Sequence, residues 1–252
     1  MMRCLLKLRE ALAELVDAWR GRDGVLKARG AYEYLAASGK ASIEDITNVL
    51  DTDEIREIFG LPEIERKLVL DVGCGTGARA LYLKSLGARV VGVDIAEGQV
   101  RLAQRSGIPA CVQDLTHLAF GDELFDVVVC SATLHLAQAF ERCVAEMYRV
   151  LKSSGEVVVL INHPWRTGSE YISGEEMESL DSGEPARIAV DYFHERRRRT
   201  FVSAVRSYYY YHRTLQTYMS AFLDRAMVLA MFKELPIRRS SLPGYLAMRW
   251  YK

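Results

Sequence analysis

The sequence predicts an α/β fold, a doubly wound and mainly parallel sheet with helices on both faces. Three observations predict it. Apolar runs of strand length alternate with helical periods between residues 67 and 162. Two of those runs, Phe125-Asp126-Val127-Val128-Val129-Cys130 and Val157-Val158-Val159-Leu160-Ile161, are almost continuously apolar, as strands covered on both faces must be. The first run, Leu68-Val69-Leu70, ends in Asp71 and three alternate glycines, Gly73, Gly75 and Gly77, and the next run ends in Asp94, seventeen residues past the last glycine. That spacing fits a strand, a tight loop, a helix and a second strand tipped with a carboxylate.

The elements follow in order. Residues 2–19 place Leu5, Leu8, Leu12, Leu15, Val16 and Trp19 at helical spacing, and Gly21 and Gly24 end the helix. A second helix is expected over 25–37 and a third from Ser42. A fourth starts at Asp51, where Glu54 completes a capping box, and Pro62 closes the block. Residues 1–62 are therefore expected to form a helical cap and 63–252 the sheet domain. Strands are predicted at 67–71, 89–94, 109–112, 125–130 and 155–162, and helices at 77–86, 97–105 and 138–150. After His163-Pro164 the regular pattern stops. Residues 164–212 are expected to be an insertion that covers the substrate, because long connections are commonly lids or binding segments. Within it, 201–211 has strand composition. A helix over 215–227 follows, then a last pair of strands at 228–235 and 245–251, with Pro243-Gly244 breaking the chain between them.

Composition narrows the function classes. The 252 residues carry 33 basic and 33 acidic side chains, a net charge of zero. Residues 185–252 hold 13 Lys and Arg against 4 Asp and Glu, so this third carries +9 and the rest −9. Such asymmetry can mark an anionic partner, yet a run as short as Arg196-Arg197-Arg198-Arg199 is more often a solvated face. No zinc finger, RNA-recognition strand pattern or KH-type loop accompanies it. No apolar stretch is long enough to span a membrane, and the basic N-terminus lacks the core and cleavage site of a secretory signal. Cys4, Cys74, Cys111, Cys130 and Cys143 are dispersed without a CxxC pair, which excludes zinc spacing and suits a reducing cytoplasm. A metal is not expected, and the chain is expected to act as a monomer or homodimer.

The glycine loop points to a nucleotide cofactor. Glycine tolerates positive φ and lets backbone approach a ligand closely. A loop at the carboxyl end of a parallel strand opens the crevice where α/β folds bind ligands, and a carboxylate on the next strand can accept from both ribose hydroxyls. Gly73-x-Gly75-x-x-Ala78 also satisfies a relaxed dinucleotide fingerprint, so the loop by itself does not choose the cofactor. Three features do. Asp71 stands where dinucleotide domains usually carry an apolar residue, Asp114 ends the third strand region in Val112-Gln113-Asp114-Leu115, and Met147-Tyr148-Arg149-Val150-Leu151-Lys152-Ser153-Ser154-Gly155 follows the fourth.

With these motifs in order, the chain resembles the class I S-adenosylmethionine-dependent methyltransferases, specifically the small-molecule branch related to the ubiquinone and menaquinone biosynthesis methyltransferases. The resemblance covers roughly residues 64–163. It implies a Rossmann-like sheet of seven strands with an antiparallel last strand, and S-adenosylmethionine as cofactor, leaving as S-adenosylhomocysteine. It implies that Gly73, Cys74, Gly75 and Gly77 wrap the methionine part and that Asp71 faces its amino group. Asp94 would hold the ribose hydroxyls with Ile95 on the adenine. Asp114 would accept from the adenine amino group beside a backbone contact from Leu115, and Ser131 would meet the methionine end. The family's Leu-Lys-Pro-Gly-Gly turn is Leu151-Lys152-Ser153-Ser154-Gly155 here, which serine can also form. The acid often found shortly after the family's histidine is missing from His135-Leu136-Ala137-Gln138.

The expected reaction is in-line displacement at the sulfonium methyl toward an O, N, C or S atom of a small molecule. His135 and His163, past the fourth and fifth strands, are the candidate bases. The pocket candidates are Tyr32 and Tyr34 from the cap, and Tyr209, Tyr211 and His212 from the Tyr208–His212 run. Only alternate tyrosines of a strand can share a face. Competing readings are an RNA or tRNA methyltransferase using the basic C-terminal third, and a non-catalytic cofactor-binding subunit that activates a partner. Ser131-Ala132-Thr133-Leu134 lacks the Asp/Asn-Pro-Pro-aromatic signature of exocyclic-amino base methylation. A nicotinamide dehydrogenase would leave Asp71 and Asp114 unexplained.

Overall fold

The computed structural model describes residue 58 and residues 64–171, 187–189, 191–203, 206–236 and 242–252. The expected helical cap, with Tyr32 and Tyr34, lies outside the described residues except for Ile58. That residue is buried, and its carbonyl accepts from Arg249 Nη2 at 3.1 Å.

The alternation predicted from sequence is present. β1 (Leu68–Val72), α1 (Ala78–Ser85), β2 (Arg89–Asp94), α2 (Glu97–Arg105), β3 (Ala110–Val112) and β4 (Phe125–Ser131) lead to a 3-10 turn at Leu134–Leu136. α3 (Phe140–Val150), β5 (Leu151–Asn162) and α4 (Pro164–Thr167) follow. Then come two short strands, β6 (Ser169–Tyr171) and β7 (Arg187–Ala189), and a hairpin of β8 (Arg196–Ser203) and β9 (Arg206–His212). The chain ends with α5 (Leu215–Leu223), β10 (Val228–Pro236) and β11 (Pro243–Tyr251).

Seven strands form one sheet in the order β10-β11-β5-β4-β1-β2-β3. The five strands from β3 to β5 are parallel, and β11 runs antiparallel to both β5 and β10. The strand order reverses between β1 and β4, so their carboxyl ends frame the crevice of the fold.

Period-two alternation sorts the core. On β4, Val127 and Val129 face a cluster with Ala80, Leu83 and Ala103 of the first two helices. Val128 and Cys130 face the opposite cluster, with Phe140, Met147, Phe222 and Trp250. Phe222 and Trp250 stack there at 5.0 Å between centroids, tying α5 to β11.

Four local expectations need correction. The 151–155 stretch is not a turn but the start of β5, with Leu151 paired to Phe125 and Lys152 Nζ 2.5 Å from Asp126 Oδ1. Gly155 is required by contact, because a Cβ there would lie 2.9 Å from the Asp126 carbonyl oxygen. The strand expected at 201–211 is two antiparallel strands, and the first begins at the arginine run, inside the stretch read as irregular. The helix expected to reach residue 227 stops at Leu223. Ala226 adopts φ 56°, and the Met227 amide returns to the Phe222 carbonyl at 3.3 Å. Pro243-Gly244 does not precede the last strand but begins it, with Pro243 opposite Pro236.

Candidate active site

The crevice starts at the end of β1. Gly73, Gly75 and Gly77 have φ of 68°, 54° and 86°, so the loop turns through left-handed backbone three times in five residues. Gly73 has a second reason to be glycine, since a Cβ there would sit 2.0 Å from Thr133 Oγ1. The loop leaves the sheet through Gly73 and Cys74 amides that both donate to the Val93 carbonyl, at 2.8 and 3.0 Å. Cys74 is buried, and burial and the Asp71 and Asp94 charges push its thiol up, so it stays protonated.

Asp94 ends β2 and closes the loop. Its Oδ2 accepts from the Gly75 amide at 3.0 Å and its Oδ1 from the Ala96 amide at 2.9 Å. Each carboxylate oxygen has two lone pairs, so these bonds leave capacity for two ligand hydroxyls. Burial raises the Asp94 pKa, and the two amides pull it back. Ile95 stands next to it, half-buried. Asp114 lies past β3, where its Oδ1 accepts from both the amide and hydroxyl of Thr116 at 2.8 Å. That turn fixes the carboxylate through one oxygen and places Leu115, also half-buried, on the same rim.

Asp71 is fully buried within the sheet. Its Oδ1 accepts from Arg79 Nε at 3.0 Å and from Arg79 Nη2, while its Oδ2 has no hydrogen-bond partner among the described residues. Ser131, at the end of β4, is buried with its hydroxyl similarly unpartnered, and so is Gln99 Oε1 on α2. Buried orphaned polar atoms are rare in native proteins and call for a partner. Three of them surround this loop.

The other wall is assembled from β4, β5 and the β8–β9 hairpin. His135 is only 3% exposed; its Nε2 lies 3.3 Å from Asn162 Nδ2 and its Nδ1 has no described partner. Burial first, then the Arg166 and Arg213 charges, push its pKa down to about 3. His163 is held at both nitrogens. Nδ1 accepts from the Trp165 amide at 3.1 Å, capping α4, so Nε2 carries the proton and donates to Glu234 Oε1 at 2.7 Å. It presents no free lone pair. His212 is fully buried and braces the insertion, with Nε2 donating to the Tyr192 carbonyl at 2.7 Å and Nδ1 2.8 Å from the Thr167 hydroxyl.

The hairpin sorts its tyrosines by register. Tyr209 faces Arg199 and Tyr211 faces Arg197, so these four share a side. The Arg197 guanidinium lies 4.8 Å from the Tyr209 ring centroid. The Tyr211 hydroxyl donates to Gln138 Oε1 at 3.2 Å, and Arg213 Nη2 donates to the Ala137 and Gln138 carbonyls at 2.6 and 2.9 Å. The hairpin thus reaches the segment that carries His135. Half of the arginine run is engaged by one acid: Arg196 pairs with Asp191 at 3.1 Å and Arg198 donates to the Asp191 carbonyl at 3.1 Å.

An open depression of about 770 Å³ lies on the flank, between α5 and residues 193–195. It is remote from the glycine loop in its lining residues, and its Glu195 is engaged in accepting from the Thr214 amide and hydroxyl. Among the described residues no group of three or more His, Cys, Asp or Glu is gathered. No helix there is long and apolar enough to cross a membrane.

Sequence reasoning missed Arg79, Gln99, Thr133 and Asn162. Only Arg79 carried a signal. A cation in the first turn of a helix opposes the helix dipole, so it needs a particular partner.

Comparison with known proteins agrees with this geometry. Residues 70–159 match the methyltransferase domain family known as Methyltransf_11. The crystal structure of a protein assigned as an S-adenosylmethionine-dependent methyltransferase from Listeria monocytogenes superposes with a TM-score of 0.67 at 26% identity, over 79% of this chain and 96% of that one. An uncharacterised protein of Haemophilus influenzae is 26% identical over 186 residues, 69% of this chain and 72% of its own. Demethylmenaquinone methyltransferase of Thermobifida fusca is 35% identical over 100 residues, which span 37% of this chain and 42% of that enzyme. The glycine loop, the acids on successive strands and the antiparallel last strand all fall within one pattern: residues 70–159 match a methyltransferase domain, set in a sheet of the kind seen in S-adenosylmethionine-dependent methyltransferase structures.

Proposed function

We propose that the protein moves the methyl group of S-adenosylmethionine to a small-molecule acceptor. The observation that carries the proposal is the arrangement of buried, incompletely bonded polar groups around the glycine loop: Asp71 Oδ2, Ser131 Oγ and Gln99 Oε1, beside an Asp94 with lone pairs to spare. These groups fit a cofactor with an amino-acid end and a ribose. Gly73, Cys74, Gly75 and Gly77 would hold the methionine part by backbone, with Asp71 at its amino group and Ser131 nearby. Asp94 would take the ribose hydroxyls and Ile95 the adenine face, while Asp114 and Leu115 would take the adenine edge. When bound, the sulfonium supplies an activated methyl and its own leaving group.

The chain's own task is then to orient the acceptor and exclude water, which can contribute roughly 7–11 kcal/mol in ideal cases. His135 faces this task as a neutral imidazole with one unpartnered nitrogen. With His163 engaged at both nitrogens, neither histidine is a strong base at neutral pH. This favours an acceptor atom that arrives ionised or acidic over one that needs a strong base. Residues 164–212 are assigned as the cover of the acceptor side, supported by the contact of Tyr211 and Arg213 with residues 137 and 138. The small-molecule assignment draws support from the Thermobifida relative, whose name gives demethylmenaquinone as its acceptor.

Calorimetric titration with S-adenosylhomocysteine tests the cofactor half. Micromolar binding, about −8 kcal/mol, is expected for the wild type, and a clear loss for Asp94→Ala. Transfer of a labelled methyl group from S-adenosylmethionine into the small-molecule fraction of a cell extract tests the acceptor half. Label that enters RNA instead, with binding that weakens steeply with salt, would replace this reading by the RNA one.

A further inference from the structure

Arg79 is the part of the crevice that neither the glycine loop nor its acids account for. It is the second residue of α1, just past the last loop glycine. Its guanidinium turns back across the loop. Nε donates to Asp71 Oδ1 at 3.0 Å, Nη2 contacts the same oxygen, and Nη2 also lies 3.3 Å from the Gly73 carbonyl oxygen. One side chain therefore ties the start of α1 to the acid of β1 and to the first glycine of the loop. The pair is withdrawn from solvent, with the Arg79 side chain 11% exposed and that of Asp71 not at all.

The clamp is one-sided. Both contacts to Asp71 fall on Oδ1, and Oδ2 is buried with no hydrogen-bond partner among the described residues. A carboxylate held rigidly by one oxygen and bare at the other is a pre-oriented acceptor for a cationic donor. Burial acts to protonate Asp71, and the charge and hydrogen bond of Arg79 act against it.

We propose that Arg79 is a positioning residue for the cofactor's amino-acid end: it clamps Asp71 Oδ1 and the Gly73 carbonyl so that the bare Oδ2 receives the ammonium group. The inference rests on the S-adenosylmethionine reading of the crevice. Its consequence is selective. The portion of the ligand beyond the sulfur feels Arg79, whereas the ribose and adenine, assigned to Asp94 and Asp114, do not. A lysine would keep the charge without the planar fork that spans two oxygens, and would restore only part of the effect.

The test uses two ligands that differ only in that portion. S-adenosylhomocysteine carries the amino acid, and 5′-methylthioadenosine keeps adenine, ribose and sulfur without it. Both are titrated calorimetrically into the wild-type 252-residue chain, Arg79→Gln and Arg79→Lys. Affinity for S-adenosylhomocysteine is expected to fall at least tenfold in Arg79→Gln and by less in Arg79→Lys, with 5′-methylthioadenosine unchanged within twofold. In Arg79→Gln the S-adenosylhomocysteine affinity should also decline with acid at a higher pH than in the wild type, since the unclamped Asp71 protonates more readily. Equal loss of both ligands would mean that Arg79 merely supports the loop, and unchanged affinity would mean that it does nothing; either overturns the proposal. Should Arg79→Gln not fold, the same ligand contrast in Arg79→Lys decides. A wild type that binds neither ligand overturns the cofactor reading itself, a result distinct from both.

Discussion

The two walls of the crevice are built in different ways. The first wall, proposed to hold the cofactor, runs from β1 to β3 with α1 and is made of carboxylates and backbone amides that lie close in sequence. Arg79 reaches Asp71 across 8 residues and Asp94 reaches Gly75 across 19. The second wall, proposed to face the acceptor, is made of histidines, tyrosines and arginines gathered from afar. His135 meets Asn162 across 27 residues, Thr167 meets His212 across 45, and Gln138 meets Tyr211 across 73. The first wall is a local cradle that a short motif can specify. The second is a convergence of distant segments, free to change its lining without disturbing the loop. Under the proposed function the cofactor grip would be local and the acceptor specificity assembled, which suits a fold that hosts many functions.

If the walls are separable, changes on one should leave the other's function in place. The largest effect is expected from Gly73→Ala. Its Cβ would meet Thr133 Oγ1 at 2.0 Å on a backbone with φ 68°. Strain of this kind costs about 1–3 kcal/mol from the backbone alone, and the clash adds to it. Affinity for S-adenosylhomocysteine should fall by about 100-fold, measured by calorimetry on protein whose circular dichroism is unchanged. Wild-type affinity would mean that the loop does not hold the ligand.

Next comes Arg213→Leu on the opposite wall. It removes two hydrogen bonds to carbonyls at 2.6 and 2.9 Å and the contact of the guanidinium with the Phe140 ring at 4.9 Å. Hydrogen bonds from charged donors are worth about 1.5–3 kcal/mol, so a stability loss of about 2–3 kcal/mol is expected from the urea midpoint. S-adenosylhomocysteine affinity should stay within a few-fold. A collapse of cofactor binding as well would show that the walls are one unit.

Acid provides a smaller perturbation of the acceptor wall. The folded His135 has its pKa pushed down to about 3 by burial and then by Arg166 and Arg213, against 6.5 in the unfolded chain. Between those values the unfolded chain binds a proton that the folded chain does not. The stability is present above pH 6.5 and is lost as pH falls toward 3. One pH unit corresponds to about 1.4 kcal/mol, so His135 alone should cost about 2 kcal/mol between pH 6.5 and 5. His163 and His212, also lowered by burial, add in the same direction, while Asp71 and Asp94, raised by burial, oppose it. The difference in pH slope between wild type and His135→Gln isolates the share of His135. Identical slopes would mean that His135 protonates freely in the folded state.

The smallest effect is expected at Arg101, on the outer face of α2. It pairs with Glu97 one turn earlier, and the two side chains are 65% and 48% exposed. Arg101→Ala should shift stability by less than about 0.5 kcal/mol and leave both ligand binding and turnover as they were. It is the control that separates surface charge from the crevice.

The legibility of the two walls follows the same division. β1, β2, β4 and β5 could be read because a strand buried on both faces must be apolar throughout, and Asp71, Asp94 and Asp114 stood out as acids ending such runs. Arg79 could not be read as the partner of Asp71, because the contact crosses from strand to helix through left-handed glycine backbone, and no periodicity links the two positions. The 151–155 stretch looked like a turn from its serines and glycine, and pairing with β4 made it a strand. The tyrosine run looked like one long strand with the residues before it. Its pairing with the arginines shows a hairpin, and the hairpin decides that Tyr209 and Tyr211 share their face with Arg199 and Arg197.

By itself, then, the sequence determined the sheet class, the glycine loop and the row of acids at the strand ends. These depend on side-chain period and on glycine's access to positive φ, both local properties of the chain. The tertiary structure alone decided which polar groups are left buried without partners, that His163 is held at both nitrogens, and that Arg213 and Tyr211 close on the segment of His135. Those outcomes depend on burial and on contacts across 70 residues or more, where desolvation and geometry, not local pattern, set the state of each group.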